Sequence, residues 1–73
     1  MAEIEARTEV SGSVWKIVTE VGQRVEAGDT IMIIESMKME IPVTIEQAGT
    51  IARFVVEAKT PVAEGQVVAL LTG

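Results

Sequence analysis

The chain has 73 residues, 48% of them apolar, with eleven acidic and six basic side chains for a formal charge of −5. That length bounds it to one domain, 1–73, whose core must be dense, because a chain this small buries only about 60% of the surface its unfolded form exposes. Cysteine and histidine are both absent, which excludes disulfides, thiolate metal sites, a thiol nucleophile and the commonest general base, while an acidic surface repels phosphate backbones and argues against nucleic acid as a partner.

The start, Met1-Ala2-Glu3-Ile4-Glu5, is acidic and has the layout of neither a signal peptide nor a transit peptide. No apolar run approaches membrane-spanning length. A cytoplasmic protein without a membrane partner is therefore the expectation. A first strand is expected near Glu3 to Thr8, and after it the chain repeats itself at an offset of 37 residues. Gly12 falls on Gly49, Val18 on Val55, Glu20 on Glu57, Val25 on Val62 and Gly28 on Gly65, with conservative matches such as Lys16 with Arg53 and Ile31 with Val68 between them.

Each half reads alike. Small residues, Ser11-Gly12-Ser13 or Ala48-Gly49-Thr50, lead into a strand, Val14 to Val18 or Ile51 to Val55. A turn-rich connector follows, then a short excursion around Val25 or Val62, a turn at Gly28 or Gly65, and a last strand, Thr30 to Glu35 or Val67 to Thr72. In the second connector Lys59 stands where the first has Gly22; a lysine there either takes a positive φ at roughly 1 kcal/mol or sits in a different turn, as the nearby Pro61 suggests. A further strand from Met39 to Ile45 brings the total to about eight. An all-β chain of this size must close or stack its sheets to keep its apolar faces dry, so the fold expected is a flattened antiparallel barrel or sandwich of two small sheets, built from two half-domains about an approximate two-fold.

The stretch Glu35-Ser36-Met37-Lys38-Met39-Glu40 lies between the apolar run Ile31 to Ile34 and an alternating run in which Met39, Ile41, Val43 and Ile45 share one face. Such a pair of runs reads as a β-hairpin with Met37-Lys38 at its tip. Two-residue hairpin turns favour Asn, Asp or Gly, where φ must be positive, and a local rule broken at one place in a consistent sequence marks a functional site. Lys38 is thus the candidate for covalent modification, its amine held away from the domain between two soft, adaptable methionines. Glu35 and Glu40 flank the tip as solvated strand ends or as charges that tune recognition. With no phosphate loop, metal cluster or nucleophile motif in the sequence, no catalytic or metal-binding residues are expected. Trp15 and Phe54, the only tryptophan and phenylalanine, are expected as core or partly covered surface, and Met32 as core.

Met37-Lys38-Met39 with its acidic and strand-like flanks resembles the attachment site of the biotinyl domain family, the biotin carboxyl carrier proteins and their fused relatives. The resemblance extends from about Val10 to Leu71 and departs from the family's Ala-Met-Lys-Met motif at Ser36. It implies a flattened barrel with the hairpin opposite the chain termini, biotin in amide linkage on Lys38, and Met37, Met39, Ser36, Glu35 and Glu40 as the flanks that a partner meets. The partners implied are a biotin protein ligase, a biotin carboxylase and a carboxyltransferase acting on an acyl-CoA or a keto acid, with the domain itself a carrier and not an enzyme. No insertion corresponds to the protruding thumb of some bacterial members. Two alternatives stay open: a lipoyl carrier, whose lysine usually sits between Asp and Ala, and an unmodified β-sandwich used as an interaction module.

Overall fold

The computed structural model describes residues 3–73. Eight strands run in chain order: β1 (Glu3–Arg7), β2 (Gly12–Ile17), β3 (Arg24–Val25), β4 (Thr30–Ser36), β5 (Met39–Thr44), β6 (Gly49–Phe54), β7 (Pro61–Val62) and β8 (Val67–Thr72). They form two four-stranded sheets, ordered β1-β8-β6-β3 and β5-β4-β2-β7, with every neighbouring pair antiparallel. A shift of 37 residues carries one sheet onto the other, β1 to β5, β8 to β4, β6 to β2 and β3 to β7. Each sheet therefore mixes strands of both halves, and neither half can bury its apolar face without the other.

The repeat extends to individual hydrogen bonds. Gly22 N–H donates to Ile51 C=O (2.7 Å), and its counterpart Lys59 N–H donates to Val14 C=O (2.6 Å). Thr8 N–H bonds Gln66 C=O as Ile45 N–H bonds Asp29 C=O, and Gly65 N–H bonds Thr8 C=O as Gly28 N–H bonds Ile45 C=O. Even the turn side chains correspond: Gln23 caps the Glu20 N–H where Thr60 caps that of Glu57. The expectation of a different turn at Lys59 is thereby corrected. Lys59 takes φ +70° against +90° at Gly22, and Pro61 lies beyond the turn, in β7, so it leaves the conformation of the turn unchanged.

Paired bulges shape the core. The register slips between Thr30 and Met32 and between Ala6 and Arg7, which leaves Ile31 in β4 and its repeat mate Val68 in β8 as the extra residues. A strict alternation would send one of any two neighbours to solvent, but the bulge lets Ile31 and Met32 both be fully buried, as Val68 and Ala69 are. With Val14, Val25, Ile34, Ile51, Val62 and Leu71 they fill one core between the sheets, each of the side chains larger than alanine contributing roughly 1.5–3 kcal/mol by leaving water. Met32 takes its expected place there.

Strands β2 and β6 begin at Gly12 and Gly49, two residues earlier than the pattern of branched side chains suggests. Both glycines are ladder members at a close approach. A Cβ on Gly12 would fall on the Glu35 carbonyl oxygen, and one on Gly49 would stand 2.8 Å from that of Thr72. The molecule is elongated, 36 Å along its longest axis. Strand β4 runs out to the hairpin and β5 returns, ending where Ile45 bonds Asp29. Ile4 and Ile45 line one cleft between the sheets, Thr8 and Ile41 the next one along, so β1 starts at the far end from the hairpin, paired there through Glu3 with Thr72.

Candidate functional site: the hairpin tip and its neck

The β4–β5 ladder closes with the pairs Ile34–Ile41, Glu35–Glu40 and Ser36–Met39, leaving Met37 and Lys38 as the two turn residues. Their φ angles are +50° and +67°. That is the left-handed pair a two-residue turn of the mirror-image type demands, and for side chains other than glycine it costs roughly 1–2 kcal/mol per residue. The ladder below holds the strain in place: Ile34 is fully buried, and Gly12 lets β2 press against the Glu35 backbone.

At the apex Lys38 is exposed and belongs to neither of the ion pairs among the described residues, Arg7 with Glu5 and Arg24 with Glu26. Met37 is 92% exposed and Met39 63%, against 0% for Met32. The same residue type thus serves as packing in one strand and as surface at the tip. The apolar face that Met39 heads becomes covered only lower down, with Ile41 half-buried and Val43 and Ile45 buried. Ser36 is half-buried. Glu35 and Glu40 stand directly opposite each other and exposed; like charges so placed destabilise a sheet by a few tenths of a kcal/mol to about 1 kcal/mol.

Trp15 takes the second of its two expected places, as partly covered surface. The β2–β4 register slips between Val14 and Lys16, so Trp15 is the extra residue of a bulge, as Ala52 is in β6, and it is turned outward at 43% exposure. The Lys16 ammonium stands 4.8 Å from the ring centre. Phe54, by contrast, packs against the core. Beside the hairpin neck, Ser13, Val14, Trp15, Glu35 and Lys59 line a shallow groove of about 340 Å³. Sequence reasoning missed Gly12, Trp15 and Lys59 as parts of this end of the molecule; the one available signal was lysine in the place of its glycine mate. Glu35, Ser36, Met39 and Glu40 form the last two ladder pairs below the Met37-Lys38 turn. Among the described residues no cluster of three or more carboxylates or other ligating groups could hold a metal ion, and no helix is long and apolar enough to cross a membrane.

The family described as "Biotin-requiring enzyme", the biotin/lipoyl attachment domains, matches residues 3–71. A biotinylated protein TB7.3 homolog of Mycobacterium leprae is 35% identical over 72 residues, 99% of this chain and 100% of that protein. The biotin-dependent acyl-coenzyme A carboxylase alpha3 subunit of the same organism is 42% identical over 60 residues, 82% of this chain but only 10% of the subunit. Among solved structures, Kluyveromyces lactis urea carboxylase superposes with a TM-score of 0.91 at 34% identity, over 97% of this chain and 6% of that one. The chain thus spans the whole of a small biotinylated protein and a small part of each carboxylase. An exposed lysine on a strained turn, a two-sheet fold and these relatives converge: the chain belongs to the biotin/lipoyl attachment family, as a carrier domain whose cofactor is biotin.

Proposed function

We propose that Lys38 is the point of biotin attachment and that the loaded domain carries a carboxyl group from a biotin carboxylase to a carboxyltransferase. The observation that carries this reading is the exposed amine of Lys38 at the apex of a turn whose two residues both hold left-handed backbone. Strain retained at a convex tip, where it stabilises nothing, is explained by presentation of the side chain. The tip also fits the group: an amide needs one unpaired amine accessible from outside, and Lys38 offers it.

In attachment the neutral amine of Lys38 attacks the acyl carbon of a biotinyl adenylate held by a biotin protein ligase. The C–N bond forms, the acyl–phosphate bond breaks, AMP leaves with the electron pair, and the nitrogen gives up a proton. When bound, biotin supplies a ureido nitrogen that can accept and release a carboxyl group. The chain's own residues supply reach and recognition: the lysine stem extends the tether, the methionines offer a surface soft enough for several partners, and Glu35 with Glu40 present a paired negative charge to them. Tethering keeps the effective concentration at both partner sites high without release of the cofactor. The reading places the domain in the cytoplasm, where ATP and the ligase are available, and favours biotin over lipoate because Lys38 sits between two methionines and the matching relatives are biotinylated or biotin-dependent proteins.

The test is intact mass after incubation with a biotin protein ligase, ATP and biotin, with peptide mapping of the modified residue. One biotin on Lys38 is expected, and none on the Lys38→Arg variant. With labelled bicarbonate, ATP and a biotin carboxylase, label is expected on the loaded domain as an acid-labile adduct and absent from the variant. A mass increment of lipoate, or biotin on Lys16 or Lys59, would overturn the assignment.

A further inference from the structure

We infer that the groove beside the hairpin neck is a resting site for the domain's own tethered biotin, an inference that rests on attachment at Lys38. Three observations lead there. First, the domain's one tryptophan lies on this groove, 43% exposed, with Lys16 over its ring. Second, the groove is lined by a carboxylate, Glu35, and an ammonium, Lys59. Third, Lys59 holds a left-handed backbone that its repeat mate leaves to glycine. Of the six residues with positive φ among those described, the three that are not glycine are Met37, Lys38 and Lys59. Two form the tip, and the third lines the groove at its neck.

The chemistry of the bound group matches this lining. Once in amide linkage biotin carries no charge; its ureido head has two N–H donors and one carbonyl acceptor, and its fused rings are apolar. Glu35 offers acceptor oxygens and Lys59 offers donors, while the indole supplies a flat apolar face. Reach is sufficient. Glu35 lies two to three residues from Lys38 along the hairpin, about 7–10 Å at the strand rise, and the lysine stem with biotin's pentanoyl chain spans some ten bonds, roughly 12 Å when extended. Such a site would keep an apolar head off the solvent between visits to partners and release it readily, since the groove is shallow.

The absence of tyrosine and the single tryptophan make the test direct. Acrylamide quenching of Trp15 fluorescence is measured on the unloaded domain, on the domain loaded with one biotin by mass, and on loaded Lys59→Gly. The last removes the ammonium and restores the residue that the repeat uses at this φ, so the fold is kept. Loading is expected to lower the quenching constant about twofold, the change for a group parked roughly half the time, and to shift the indole N–H resonance; Lys59→Gly is expected to return both toward the unloaded values. Full loading with quenching and resonance unchanged would overturn the resting site and leave attachment standing. No mass increment on Lys38 would remove both, and an effect of loading undiminished in Lys59→Gly would overturn the role given to the groove.

Discussion

The two ends of the molecule are built on one backbone plan and differ in what hangs on it. At the far end Gly49 meets the Thr72 carbonyl and Gly22 fills the left-handed turn that reaches Ile51; at the hairpin end Gly12 meets the Glu35 carbonyl and Lys59 fills the equivalent turn that reaches Val14. Where the strands of one end continue into a strained Met37-Lys38 turn, their counterparts at the other are the Thr72 and Glu3 ends of β8 and β1. Glycine fills at the far end the left-handed turn that Lys59 fills at the hairpin end, so that turn does not itself require a lysine.

The comparison breaks most visibly at Lys38. Lys38→Arg is expected to abolish biotin incorporation while Lys59→Arg retains it, both with unchanged circular dichroism; incorporation into Lys38→Arg would show that the tip is not special. The next largest effect contrasts two methionines. Met32→Ala should destabilise the domain by about 2–5 kcal/mol through a cavity in the core, and Met37→Ala should stay within about 0.5 kcal/mol, as read by urea denaturation. A similar loss at both sites would mean that the tip packs against the body.

A smaller effect separates the glycines at the close approaches. Gly12→Ala forces a Cβ onto the Glu35 carbonyl and against Ile34 Cγ2, whereas the Cβ of Gly49→Ala stands 2.8 Å from the Thr72 carbonyl, a milder overlap. We expect about 1–3 kcal/mol of destabilisation at Gly12 and less at Gly49, with slower biotin loading only in Gly12→Ala. The smallest change concerns the two turns themselves. Lys59→Gly should raise stability by up to about 1 kcal/mol, because relief of left-handed strain is partly offset by the entropy glycine adds to the unfolded chain; Gly22→Lys should lower it by about as much. Thermal unfolding of the four variants would sharpen the comparison, and a destabilised Lys59→Gly would show that the lysine packs for stability.

How much of this could be read in advance differs by region. The hairpin was legible because Ile31 to Ile34 and Met39 to Ile45 carry strand patterns on both sides of residues unsuited to the turn between them. The turn at Lys59 is not legible from the nearby Pro61, because a proline fixes its own φ and restricts the residue before it, Thr60, and not Lys59. Trp15 could be read only as core or partly covered surface, because residue preference does not say which face of the strand it takes; the buried Val14 beside it decides that, and the bulge then leaves Lys16 outward as well.

By itself the sequence determined the local choices: strands from branched and apolar runs, turns at Gly22, Gly28 and Gly65, a repeat of 37 residues, and one lysine between two methionines where a turn had to form. These are readable because propensity and turn chemistry act over a few neighbouring residues. Only the tertiary structure decided that each sheet draws strands from both halves, that Gly12 lies against Glu35, and that Ser13, Trp15, Glu35 and Lys59 meet beside the hairpin. Those meetings depend on strand register and on the bulges that shift it, and register is chosen by which side chains the two sheets can bury together, a property of the closed core that no short segment carries.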